Sequence, residues 1–158
     1  MSRNTTSVWL FAIYAIVLAI ATLAPPPISP SNGYFGTNLV PIVHSISCFV
    51  PDPGQPSTTA FCTRIILGNI VLFLPFGLLF PLVFRSWHSM KSVVLAALGV
   101  SVSIEVLQYA GRWAGSPRWS DVDDVIFNVF GALLGYLILR IVEAAAGWSK
   151  RQVAEASG

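Results

Sequence analysis

Read along the chain, hydrophobic positions gather into four long blocks separated by polar and turn-forming residues. The blocks run from Val8 to Ala24, from Ile65 to Phe84, from about Ser92 to Ala110 and from about Val125 to Val142. Each approaches the ~20 residues that a membrane-crossing helix needs. The pattern predicts an all-α fold: a polytopic membrane helix bundle of about four transmembrane helices. Pro25, Pro26 and Pro27 follow the first block directly. Proline after a cleavage point hinders a signal peptidase, and the block is long for a signal h-region, so it reads as a retained membrane helix.

The connections differ in length. Blocks three and four are joined by GRWAGSPRWSDVDD, a short polar turn, which makes those helices antiparallel neighbours. The first connection, Pro25 to Arg64, is long. PPPISPSNG opens it, and no regular helix or strand runs through such a stretch. YFGTNLVPIVHSISCFV follows, too short to span a bilayer, and then PDPGQPSTT. The middle piece is expected to form an ordered cap over the helix ends, using Tyr34, Phe35, Leu39, Val40, Ile42 and Val43.

Inside the apolar blocks a few polar positions recur at helical spacing. Ser101, Glu105, Gln108 and Arg112 share one face of the third helix. A carboxylate within a membrane costs a few kcal/mol even on the gentler insertion scales, so it faces the bundle interior or a water-filled cavity. A second stripe, Asp121, Asp124, Asn128, Gly131 and Gly135, marks one face of the fourth helix. Ser120 and Asp123 have the spacing of a capping box that opens this helix. GALLG, Gly131 to Gly135, is a small-xxx-small pattern for close helix packing. The two stripes meet at one end of the bundle. Arg112 and Arg118 lie there against Glu105, Asp121 and Asp124, Asn69 of the second helix joins them, and Asn38 overhangs from the long connection. An outward-facing polar pocket is the expectation.

Composition strengthens the membrane reading. The 158 residues are 54% hydrophobic and 10% charged, with mean hydropathy +0.71. A soluble domain carries roughly 25% charged residues. Such a length suits a single domain across 1–158. A net charge of +2 without a basic cluster argues against nucleic acid, and no zinc-like Cys/His spacing or cofactor motif is present in the sequence. Arg3, Arg85, Lys91, Arg140, Lys150 and Arg151 fall on one side of the predicted bundle, and Arg64, Arg112 and Arg118 on the other. The basic bias predicts a cell-membrane protein with both termini cytoplasmic. Cys48 and Cys62 then face an oxidising compartment and are candidates for a disulfide.

Four pieces of sequence resemble the VanZ-like family of small membrane proteins: TNLVP (Thr37 to Pro41), GNIVLFLPFG (Gly68 to Gly77), SIEVLQYAGR (Ser103 to Arg112) and RWSDVDDVIFNVFGALLGY (Arg118 to Tyr136). They occur in the family's order, across 37–136, and 144–158 is left as a polar cytoplasmic tail. The pattern carries over onto Asn38, Pro41, Asn69, Phe73, Pro75, Gly77, Glu105, Gln108, Arg118, Asp121, Asp124, Asn128 and Gly131. The resemblance implies a multi-pass bacterial membrane protein, and its founding member is associated with resistance to the glycopeptide teicoplanin. Some relatives carry a phosphotransbutyrylase label, but no Gly-rich phosphate loop is present in this sequence.

Three functions are compatible with these residues. The pocket binds an envelope molecule: a glycopeptide antibiotic, a lipid headgroup or a cell-wall precursor. Alternatively, an intramembrane enzyme uses Glu105 and Asp124 as acid and base on such a headgroup. A proton or ion transporter is the third, disfavoured because no polar path continues through the other half of the helices.

Overall fold

The computed structural model describes residues 3–24, 37–42, 45–46, 49–50, 59–114 and 120–156. Four helices dominate it: α1 (Arg3–Leu23), α2 (Thr59–Val83), α3 (Met90–Gly111) and α4 (Val122–Ala156). All four are long and apolar enough to cross a membrane. Each begins before the apolar block that announced it. The largest difference is in α4, which continues as helix through the segment read as a polar tail, up to Ala156.

Local chemistry explains the joints. Ser89 caps α3, its side chain accepting from the Ser92 amide, after a single 3-10 turn at Arg85–Trp87. At the other end α3 tightens into a second 3-10 turn, Arg112–Ala114. Trp87 and Trp113 thus stand at opposite ends of the bundle, both exposed, where an aromatic belt meets the membrane interface. α2 runs through Pro75 and Pro81, each of which removes one backbone hydrogen bond from the helix.

α4 packs most extensively against α2 and next against α3, while α1 lies mainly on α2. Glycine is the reason for the first contact. A Cβ on Gly131 would overlap the Ile70 carbonyl, one on Gly135 the Leu74 carbonyl, and one on Gly77 the Ala132 carbonyl. Dispersion between two backbones replaces the hydrophobic effect, which lipid does not supply. Phenylalanines fill the rest of the core. Phe73, Phe76 and Phe80 of α2 are buried with Val93, Ala97 and Ile104 of α3. The ladder continues from Phe80 to Phe84, with ring centroids 4.7 Å apart, and Phe11 of α1 meets Phe84 edge-on at 5.7 Å.

Two short strands were invisible to the pattern reading. β1 (Thr37–Asn38) pairs in parallel with β2 (Ser120–Asp121), Thr37 opposite Ser120 and Asn38 opposite Asp121. This ladder fastens the long first connection to the start of α4. The described residues of the connection that meet the start of α4 do so through polar groups, not through apolar side chains. Leu39 is 76% exposed, and Val40, Ile42, Ile46, Phe49 and Val50 also point outward. The inward contacts come from Asn38 and Ser45. A segment lying on a membrane surface turns its apolar side chains to lipid, which accounts for the inversion. Tyr34, Phe35 and Val43 lie outside the described residues.

Candidate functional site

The cluster is built at the junction of α3, β2, the start of α4 and the fastened connection. Glu105 is half-buried on α3 and receives two hydrogen bonds on the same oxygen. The Ser120 hydroxyl donates to its Oε2 at 2.8 Å and the Asp121 amide at 3.0 Å. Among the described residues no donor reaches Oε1.

Asp121 is the true N-cap of α4. Its Oδ1 accepts from the Asp123 amide at 2.9 Å and from the Asn38 side-chain amide at 2.8 Å. The capping box expected from Ser120 and Asp123 is therefore absent. Ser120 turns its hydroxyl to Glu105 instead, and Asp123 turns its carboxyl to the connection. Asp123 is 3% exposed, and its two oxygens accept from the Ile42 amide, the Ser45 amide and the Ser45 hydroxyl. Ile42 sits at φ 68°, a left-handed conformation unfavourable for a β-branched residue. Asp123 holds that strained turn in place.

Asp124 points to α2, where Asn69 donates to its Oδ1. One turn deeper, the Asn128 amide donates to the buried Ser101 hydroxyl of α3 at 2.8 Å. Asn128 Oδ1 is buried with no partner among the described residues. Gln108 shares the Glu105 stripe but reaches a different helix: its amide donates to the Thr22 carbonyl of α1 at 2.9 Å, and its own oxygen is buried without a partner among the described residues. Arg112 donates to the Thr37 hydroxyl at 2.8 Å and lies 4.8 Å from the centre of the Tyr109 ring.

The structure thus gathers Asn38, Glu105, Asp121 and Arg112 at one rim, Asn69 with Asp124 at the second helix, and Asn128 with Ser101 beneath. Gln108 is set apart, toward α1. Arg118 lies outside the described residues, as does Cys48; Cys62 is disulfide-bonded. Asp123 and Ser45 are the members that sequence reasoning missed. Their contact spans 78 residues of sequence and leaves no local periodic signal.

A groove of about 540 Å³ opens beside the rim. Glu105, Ser120, Asp121 and Thr37 form its polar wall; Val102, Val106, Tyr109 and Val125 form its apolar wall. Val102, Val106 and Tyr109 are exposed, so the groove opens sideways, on the surface that meets lipid.

Four apolar helices with a carboxyl-rich cluster at the β1–β2 ladder define a multi-pass helical membrane protein with a polar site at one end. Residues 11–143 match the VanZ/LLP1 family model. The chain belongs to that family, and the matched range contains every described residue of the cluster. No curated protein and no solved structure matches it.

Proposed function

We propose that this groove binds the polar head of an amphiphilic envelope molecule, from the outer side of the cell membrane. The carrying observation is the two-faced lining: carboxyl oxygens on one wall, exposed valines and Tyr109 on the other. A polar head would sit against Glu105 and Asp121 while its apolar part follows α3 into the bilayer. Among the described residues only Oε2 of Glu105 takes donors, and a carboxyl wall of this kind selects ligands that bring hydroxyl or amine hydrogens. Lipid headgroups, cell-wall precursors and glycopeptide antibiotics all carry such groups. Holding a precursor or a drug at this level would supply teicoplanin-type protection, and the sideways opening favours a ligand arriving through the membrane.

Glu105→Gln tests the reading cleanly. The two hydrogen bonds from described residues fall on one oxygen, so a glutamine carbonyl can keep both while its amide takes the place of the other oxygen. The variant should fold as the parent does and lose the small molecule that co-purifies with it, followed by mass spectrometry of the extracted ligand. Retention of the same molecule at the same level by Glu105→Gln would overturn the assignment. The enzyme reading separates in the same experiment: there Glu105→Gln keeps the bound molecule but no longer converts it.

A further inference from the structure

The opposite end of the bundle holds a larger cavity, about 830 Å³, remote from the carboxyl cluster and contributed by three helices. Thr6 and Ser7 of α1, Arg85 and His88 of the α2–α3 turn, and Tyr136 and Arg140 of α4 line it. Pro81, Leu82 and Leu139 form its apolar wall. Its charge is the reverse of the first site. Arg85 and Arg140 are permanent cations, and Glu143, the one carboxylate among the described lining residues, is bonded to Arg140 at 2.8 Å. That pair is exposed, and such pairs contribute little, so Arg140 can turn to a better anion. The His88 ring is oriented by Nδ1, 2.7 Å from the Arg85 carbonyl. Three hydroxyl groups complete a set of donors.

We infer that this cavity is a binding site for a phosphate ester, held between Arg85 and Arg140 with hydroxyl donors from α1 and Tyr136. Guanidinium groups match phosphate oxygens in pairs of parallel hydrogen bonds, and hydroxyls satisfy the oxygens that remain. The cavity lies level with Trp87, at the membrane interface, and its leucine wall continues along α2 and α4. That placement suits the phosphodiester of an anionic phospholipid, whose chains would lie on Leu82 and Leu139. Basic pockets between membrane helices recognise anionic headgroups by this chemistry. The site is independent of the groove at the other end and takes the opposite charge. Nothing local in the sequence announces it, because its cations come from the α2–α3 turn and from α4, far apart in the chain.

The test uses the full chain. Protein is placed in nanodiscs of phosphatidylcholine with and without phosphatidylglycerol, and the lipid retained on release into the gas phase is counted. A second arm measures thermal stability in neutral detergent with added inorganic phosphate. Wild type should retain phosphatidylglycerol, and Arg85→Gln with Arg140→Gln should reduce retention about tenfold. Lys91→Gln, which removes an exposed charge outside the cavity, should not. Arg140→Lys keeps the charge and guards against loss through misfolding; it should retain more lipid than Arg140→Gln. Retention of phosphatidylglycerol alone identifies a lipid site. Stabilisation by inorganic phosphate, lost in the double variant, identifies a site for a soluble phosphate ester. Neither response in wild type, or equal loss in Lys91→Gln, overturns the proposal.

Discussion

Carboxyl groups in this protein differ in what their two oxygens do, and that difference predicts how each tolerates an amide. Among the described residues Glu105 takes its two donors on Oε2. Asp123 takes the Ile42 amide on Oδ1 and both Ser45 donors on Oδ2. Asp123→Asn must therefore aim an amide N–H at one of these donors, inside a buried site. It should cost about 1–3 kcal/mol, the penalty for a buried polar group left unpaired. Glu105→Gln should cost much less. Thermal melting of the two variants in the same detergent checks the ordering. A second readout is amide exchange at Ile42 and Ser45, which should accelerate in Asp123→Asn as the strained turn is released. Equal melting points for the two variants would show that the connection is held by other contacts. Much of the cluster was legible from spacing alone: Glu105, Asp121, Asp124, Asn128 and Ser101 all face inward as the stripes require. Asp123 was not, because a Ser-x-x-Asp spacing has a ready local explanation and the true partner lies far away in sequence. Gln108 shows a different limit. Periodicity places it on a face but does not say which helix that face meets, and the neighbour is α1.

At the scale of elements, glycines decide where helices touch. Gly77, Gly131 and Gly135 each leave no room for a methyl group against the backbone of the partner, whereas Gly68 and Gly99 have nothing within 4 Å of the position a Cβ would take. Alanine should therefore act with opposite signs. Gly131→Ala is expected to destabilise by at least about 1–3 kcal/mol, since backbone atoms cannot move aside as a side chain can. Gly99→Ala should be neutral or stabilising by up to about 1 kcal/mol, the helix-propensity gain. Melting temperature and detergent-solubilised yield report both. If Gly131→Ala melts with the parent, the α2–α4 contact is looser than the structure has it. The small-xxx-small pattern was visible in the sequence, but its partner was not. α3 follows α2 and precedes α4, so adjacency favoured an α3–α4 contact; the glycines of α4 instead face α2, which offers Gly77 in return. The β1–β2 ladder escaped notice for a simpler reason: two-residue strands have no alternation to read.

For the whole molecule the two ends carry opposite chemistry. Carboxyls and amides gather where β1 meets β2, arginines where α1 begins and α2 ends. α4 extends the asymmetry. Its 35 residues span about 52 Å at 1.5 Å per residue, against a hydrocarbon core of about 30 Å. It is therefore long enough to extend past the hydrocarbon core on the arginine side, where Lys150 and Arg151 lie. The block pattern predicted four crossings and the basic bias predicted a direction, yet only the number of apolar helices follows from length and hydropathy. Direction depends on charges that the membrane, not the fold, reads during insertion. By the positive-inside rule the arginine end is expected in the cytoplasm and the carboxyl groove outside. Single cysteines added to the otherwise bridged chain measure this. Trp113→Cys, at a position 86% exposed beside the groove end, should react with an impermeant thiol reagent in intact cells. Ala146→Cys, exposed at the end of the apolar span of α4, should react only after lysis. The reverse pattern would turn the carboxyl groove to the cytoplasm. A ligand from the outer envelope would then be out of its reach, and with it the basis for reading the groove as a protective site.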